Sequence, residues 1–550
     1  MANYRKPGPD LRFRSLGQRG YDLRAMPLTH DHLELTGSPL QLDDVAEVAR
    51  GGRQVCLSDS QKDVIARAHQ AVDAVGQDDS CPVYGINTGF GSLSRSLIAP
   101  SDITSLQLNI LRSHAAGVGE PLSEDVVRAM MLLLAASLSR GHSGVSCAVI
   151  EQILSLLNKG ITPVIPSRGS VGASGDLAPL AHLGLVLIGE GEAWVDGRRM
   201  DGGAALEEQG LSPMPLGAKV GLALINGTHL MAAIGALSLV DLENILSAAL
   251  LASAMGIDAC RATDEFLDDR LHAVRCQSGQ RRVASAMRAL LKGSEIIHDH
   301  RQDDPRVQDP YSLRATPQVL GAVVDAVQYV RRVICAELGA VTDNPLVFPD
   351  STKVGAAFLA GGNFHGMPLA MALDTLSIAI CHMAGISERR VNWLLSGRDD
   401  QNPVTPFLAS DPGLHSGLMI AQYTAAACCN ELQCLASPAS VGNVPTSAGI
   451  EDYNSMGATS AHQVRQAIDL SRHVIAIELM AMAEGLEHQR PLRSGHQVEI
   501  GHDVLRAAVE PLHADRSPAP DIEAVSKLIE VGGLRQFGQG LYAETLDHCD

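Results

Sequence analysis

The sequence predicts a mainly α-helical protein, and three observations carry the prediction. Apolar residues make up 45% of the 550-residue chain, but Phe, Trp and Tyr together only 3%. The apolar mass is therefore largely Ala, Leu and Val, which with abundant Gly suits closely packed helices better than aromatic-rich sheets. Long stretches of the second half keep a 3.6-residue apolar period. No repeat of 20–50 residues and no low-complexity tract is present, which argues against a solenoid or a linker-rich array. A chain of this length and apolar content buries a large core.

Residues 1–30 hold Arg5, Lys6, Arg12, Arg14, Arg19 and Arg24 against Asp10 and Asp22, with Pro7 and Pro9 among them. They read as a flexible basic extension. An organelle-targeting segment is also arginine-rich, but few serines and no amphipathic face favour the plain tail. Residues 31–228 form a mixed, loop-rich N-terminal region in which short apolar runs are broken by Gly-rich turns, as at 84–91 and 169–176. Within it, Ile150, Ile153, Leu154 and Leu157 stand at i, i+3, i+4 and i+7 before Gly160, which predicts a helix with one core face and a stop.

Residues 229–490 are expected to form a central bundle, with helices over 229–255, 317–340, 368–396 (opened by Pro368) and 459–489, the last closed before Pro491. At 1.5 Å per residue each spans roughly 35–45 Å. The stretch 368–396 is apolar on most faces, which predicts burial inside a large bundle or an oligomer. A membrane span is the competing reading, and Asp374, His382, Glu388, Arg389 and Arg390 speak against it. Residues 491–550 remain as a C-terminal helical segment.

Sixty-two acidic against 43 basic residues give a net charge of −19, which repels phosphate backbones and anionic lipid alike. Neither nucleic acid nor a membrane is expected as a partner. Eleven cysteines without a CxxC pair argue against a disulfide framework and for a reducing cytoplasm, with Cys428 and Cys429 buried on a helix. The glycosylation-like Asn226-Gly227-Thr228 is expected to be an unmodified internal loop. The chain has no GxxxxGK[ST], HExxH, GxSxG or complete GxGxxG, so the common nucleotide, zinc and hydrolase classes lose support. His298-Asp299-His300 lacks a third ligand at suitable spacing and reads as a solvated cluster, so no metal is expected.

The most distinctive segment is GSVGASGDLAPL, residues 169–180. A phosphate-cradling turn normally brings a Lys and opens a helix, whereas here Asp176 adds negative charge and Pro179 follows closely. The triplet Ala173-Ser174-Gly175 offers different chemistry. Gly175 has no side chain, so its nitrogen can reach the carbonyl carbon of Ala173 and close a ring. Loss of water from Ser174 then leaves an electrophile. With Asp-Leu-Ala-Pro-Leu after it, the triplet resembles the 4-methylideneimidazol-5-one (MIO) ammonia-lyase and aminomutase family. The resemblance runs from about Leu33 to about residue 490, through YGINTGFG, LRSHAAGVGEPL, INGTHL, VQDPYSLRATPQVLGA, TDNPLVF, GGNFHGMPLAMALD and IEDYNSMG.

The resemblance implies a long-helix bundle of the fumarase/aspartase-like type, assembled as a homotetramer whose active sites draw on more than one chain. It implies an MIO electrophile formed from Ala173, Ser174 and Gly175, and no diffusible cofactor. Elimination needs ammonia made a better leaving group and a weakly acidic β-proton removed. The second task falls to Tyr84, whose phenol needs a lowered pKa, or to Glu451. Tyr311 is carried over as a catalytic residue beside the electrophile, and Asn226 as a hydrogen-bond partner of ring or substrate amine. Phe364 packs beside the electrophile. Gln308, Tyr311 and Arg314 stand at i, i+3 and i+6, on adjoining faces in helical geometry, where Arg314 forks the substrate carboxylate.

Side-chain selectivity falls, by the same resemblance, to Ser113, His114 and Glu451. An imidazole offers one donor and one acceptor, which suits His114 and Glu451. A phenyl ring leaves both unpaired, at a cost of roughly 1–3 kcal/mol each. L-Histidine is therefore the expected substrate, with trans-urocanate and ammonia as products. The alternatives are a tyrosine or phenylalanine ammonia-lyase, an aminomutase, or a scaffold relative without chemistry. Histidine-directed members usually have Gln before the Glu-Asp and His-Val after it, where this chain has Ile450, Tyr453 and Asn454. A Ser-His pair also occurs in tyrosine-directed relatives.

Overall fold

Nineteen α-helices and nine short strands occupy the described residues of the computed structural model, which are 32–77, 82–301, 304–352 and 355–541. The mainly α-helical expectation is borne out. The basic extension expected over 1–30 lies outside the described residues.

The strands of the first 230 residues are two to four residues long. Leu33–Leu35 runs parallel to Val55–Leu57, and Thr162–Pro163, Glu192–Val195 and Arg198–Asp201 make an antiparallel sheet of three. Helix α1 (Ile103–His114) leads into strand β1 (Val118–Pro121), which pairs antiparallel with β2 (Pro166–Arg168). The helix expected around 150–157 is Cys147–Asn158, its Ile150, Ile153, Leu154 and Leu157 buried and Gly160 following in the left-handed region at φ 70°. After β2 the chain turns through 169–176 into α2 (Leu177–Leu187).

The long helices follow: α3 (His229–Ala259), the single turn α4 (Tyr311–Arg314), α5 (Thr316–Glu337), α6 (Met367–Leu395), α7 (Met419–Leu435) and α8 (Gly457–Glu487). Every residue of α3 except Val240 is buried. A helix apolar on all sides is stable only at the centre of a bundle, and α6 and α8 flank it there, with α5 and α7 outside them. Two acidic side chains of α3 are paired: Asp241 with Arg50 and Arg465, Glu243 with Arg331 and Arg535. α3 runs four residues beyond the expected end at 255, and Gly256 within that extension packs towards Met482 and Arg390. Both α3 and α6 are long and apolar enough to cross a membrane, but their apolar windows are 94% and 67% buried by the rest of the chain.

α7 is the outermost layer, with only Ala421, Ala425 and Leu432 buried. Cys428 and Cys429 are accordingly half-exposed, which corrects the expectation of burial. Beside them, Ile420 and Tyr423 of α7 and Met371 and Ile378 of α6 are exposed apolar side chains.

One ion pair locks the bundle. Arg390 of α6 and Glu478 of α8 are fully buried and joined by two hydrogen bonds, Nε to Oε1 at 2.5 Å and Nη2 to Oε2 at 3.0 Å. Glu478→Ala strands the guanidinium without a counter-charge, an expected loss of about 3–5 kcal/mol. It is read as a lower thermal unfolding midpoint. Replacing both partners by Met and Leu is expected to recover most of the loss.

Candidate active site

Four helices begin at the loop 169–176. Asp176 directly precedes α2. Its buried carboxylate accepts from Leu230 N at 2.9 Å and Met231 N at 3.1 Å, the first turn of α3, and from Ser170 Oγ at 2.8 Å. Gly366 N, just before α6, donates to Gly172 O at 3.4 Å, and Met456 N, just before α8, donates to Val171 O at 2.9 Å. Ser455 Oγ adds a bond to Gly172 O at 3.1 Å. The converging N-terminal dipoles make this a positive region, suited to an anionic ligand. Burial nevertheless pushes the Asp176 carboxyl up to about 6.

Within this frame Gly175 sits at φ 74°, where a Cβ would lie 2.1 Å from Gly227 O. Only glycine fits such a backbone. Gly227 runs alongside the triplet, its carbonyl accepting from Asp176 N at 2.7 Å and its N–H donating to Ser174 O at 3.4 Å. Ala173 is buried.

Ser174 Oγ donates to Glu451 Oε1 at 3.2 Å, and Thr446 Oγ1 holds Glu451 Oε2 at 2.9 Å. Glu451 follows a strained loop in which Ser447 and Ala448 adopt φ of 51° and 54°, a cost that persists only where the surroundings over-determine it. That loop abuts the Tyr84 turn, since a Cβ on Gly91 would meet Ser447 Oγ at 2.8 Å. Gly91 N donates to Tyr84 Oη at 3.3 Å. Burial and the nearby Glu451 charge hold the Tyr84 phenol above its ordinary pKa, only partly offset by the Gly91 donor. The expected lowering is thus corrected for the single chain, because burial and a like charge both disfavour phenolate.

His114 closes α1, its Nδ1 3.0 Å from Ser113 Oγ. Burial keeps the imidazole neutral by lowering its pKa, against an opposing pull from Glu451. Ser174 thus touches Glu451, and Tyr84 and His114 lie within reach of its charge. Phe364 is half-buried two residues before Gly366, beside the same loop. Asn226 is buried, its Nδ2 donating to Asn344 O at 3.0 Å and Asp343 Oδ1 at 3.4 Å. Its neighbour Gly227 makes the contact with the triplet. Asp343 in turn binds the fully buried Lys219.

Gln308, Tyr311 and Arg314 lie at the other end of the bundle. Arg306 donates to the carbonyls of Cys260 and Arg261, and Asp309 Oδ2 accepts from Thr263 N and Oγ1 at 2.9 and 2.8 Å, just past the C-terminus of α3. Arg390 donates to Ser312 O. The 31 residues of α3 rise about 46 Å. Arg390 stands 24 residues beyond Gly366, about 36 Å along α6. Two independent helices thus place Tyr311 and Arg314 roughly 35–45 Å from Ser174 in the same chain.

The three residues do meet one another. Arg314 Nη2 donates to Gln308 Oε1 at 2.8 Å, and its guanidinium lies 4.4 Å from the Tyr311 ring centroid. Helical spacing accounts for Tyr311 and Arg314, at i and i+3 of α4, but not for Gln308, which precedes Pro310 and the helix and is reached by the Arg314 guanidinium. Tyr311 is 73% exposed. Near this end His298 is exposed while His300 is buried with Nδ1 2.7 Å from Ile296 O. Among the described residues no group of three His, Cys, Asp or Glu is arranged to hold a metal.

Sequence reasoning missed Thr446 and Lys219, which lie outside the quoted motifs, and gave no role to Ser455 of IEDYNSMG or Asp343 of TDNPLVF, though the motifs pointed to them. The family model for aromatic amino acid lyases matches residues 40–507. A histidine ammonia-lyase of Sorangium cellulosum (strain So ce56) is 47% identical over 91% of this chain and 98% of its own length. Among solved structures, histidine ammonia-lyase from Trypanosoma cruzi is 37% identical, with a TM-score of 0.85 over 94% of this chain and 96% of that one. Tyrosine aminomutase from Streptomyces globisporus is 33% identical, with a TM-score of 0.86 over 92% and 98%.

Proposed function

The chain belongs to the aromatic amino acid lyase family, and on that footing we propose that it eliminates ammonia from L-histidine to give trans-urocanate. The observation that carries the reading is one carboxylate, Glu451, bonded to Ser174 of the triplet and close enough for its charge to act on both His114 and Tyr84. The triplet fits an MIO group: Gly175 leaves no room for a side chain, Ala173 is buried, and Gly227 presses along the backbone. That group, when formed, supplies an electrophile that makes the substrate's amine a better leaving group.

The rest falls to side chains. Tyr84 Oη takes the β-proton, the C–H electron pair becomes the new double bond, and ammonia leaves with the C–N pair. His114 and Glu451 give the substrate ring an imidazole and a carboxylate to pair with. Arg314 receives the carboxylate through a planar fork, and its charge is what the Tyr84 phenol needs to ionise more readily. Since Arg314 and Tyr311 lie far from Ser174 in their own chain, a second copy supplies them. The exposed apolar faces of α6 and α7 give such a copy a surface to cover, in a homotetramer. Free thiols at all nine described cysteines support a reducing cytoplasm.

The direct test incubates purified protein separately with L-histidine, L-tyrosine and L-phenylalanine, following absorbance of the conjugated acid and released ammonia. Product from histidine supports the reading. Product from tyrosine or phenylalanine alone keeps the electrophile and overturns the roles of His114 and Glu451. Glu451→Gln is expected to lower kcat/KM for histidine at least about tenfold more than for tyrosine. An equal loss on both substrates removes Glu451 from the selectivity argument.

A further inference from the structure

The loop after His114 is held by a histidine that the mechanism above leaves unused. Gly117 N lies 3.1 Å from His182 Nε2. A backbone N–H can only donate, so His182 Nε2 must present its lone pair and the ring proton sits on Nδ1. Burial lowers the pKa of His182, which favours this neutral form.

The placement of this bond gives it a role. His182 lies on α2, the helix that leaves the Ala173-Ser174-Gly175 loop through Asp176. Gly117 stands three residues after His114 and directly before β1, where Val118 pairs with Arg168. A Cβ on Gly169 would lie 3.2 Å from Gly117 Cα, and one on Gly117 would lie 3.1–3.3 Å from His182 Nε2, Pro166 Cβ and Arg168 O. The chain carrying His114 is thus wedged against the strand that enters the triplet's loop, and the His182 bond ties it to the helix that leaves that loop.

We propose that His182 is a positioning residue for substrate selection: by accepting from Gly117 N–H it sets where His114 stands relative to the electrophile-forming loop. The proposal rests on the reading of His114 as a ring-binding residue. H182M fills a similar volume without an oxygen or nitrogen acceptor, leaving the Gly117 N–H unpaired and the 115–117 segment free to shift. KM for the preferred substrate is expected to rise about tenfold, with kcat within about twofold because Tyr84, Ser174 and Glu451 are untouched. H182Q, whose Oε1 can accept from the same N–H, is expected to restore most of the KM.

Each variant is checked by thermal midpoint and by mass spectrometry of the peptide holding residues 173–175, which loses two waters if its ring has formed. H182F carries the same arm should H182M not fold. An unchanged KM in H182M or H182F overturns the proposal. So does an equal rise in H182M and H182Q with a shared fall in thermal midpoint, which reports packing alone. Kinetics use whichever of L-histidine and L-tyrosine the wild type turns over. Turnover of tyrosine alone therefore defeats the histidine reading, whereas the KM contrast between H182M and H182Q still decides the positioning role.

Discussion

Ser174→Ala is expected to abolish turnover, by about a thousandfold or more, with the fold kept. The hydroxyl is the only atom removed, and its one direct partner in the site is Glu451 Oε1. Glu451 keeps its bond from Thr446, so the pocket does not lose its carboxylate. Without that hydroxyl no water can leave from residue 174, and no electrophile forms. Steady-state kinetics and the mass of the 173–175 peptide read the two halves of this expectation. Turnover near the wild-type level in Ser174→Ala sinks the electrophile reading.

Arg314→Ala is expected to be nearly as inactive, and the two dead variants are expected to rescue each other. In a mixed assembly, a site is complete when an Arg314→Ala chain supplies its intact triplet and a Ser174→Ala chain supplies its intact Arg314. Random mixing of equal amounts leaves about one quarter of the sites in that state. Co-expression followed by an activity assay on the purified mixture measures it. The basis is the roughly 35–45 Å between the two groups within one chain, along α3 and along α6. Mixed assemblies no more active than either parent would mean that Arg314 is not supplied by a neighbouring copy.

The long helices were legible because their signal is local. Pro368 opens α6 and the period of its apolar residues carries it to Leu395. The end of α3 was not: the helix expected to end at 255 runs on to Ala259, with Gly256 packed against Met482 and Arg390. The triplet was legible through its chemistry, and Gly175 through the absence of a side chain. Tyr84 was legible as a site residue but its electrostatics were not: the burial and the Glu451 charge that hold its phenol up come from a loop more than 350 residues away. Spacing held for Tyr311 and Arg314 within α4 but misled at Gln308, where Pro310 delays the helix and the Arg314 guanidinium does the joining.

The convergence of four helix starts on one short loop has a consequence for when the chain becomes chemically active. Those starts are Leu177, His229, Met367 and Gly457, so the loop acquires its shape only after segments from most of the sequence have met. A ring closed there is a record that they did. With the electrophile proposed above, a chain that has yet to fold carries an ordinary serine there and no reactive carbon to trap passing amines or thiols. Reactivity is thereby withheld until the molecule that must contain it is complete.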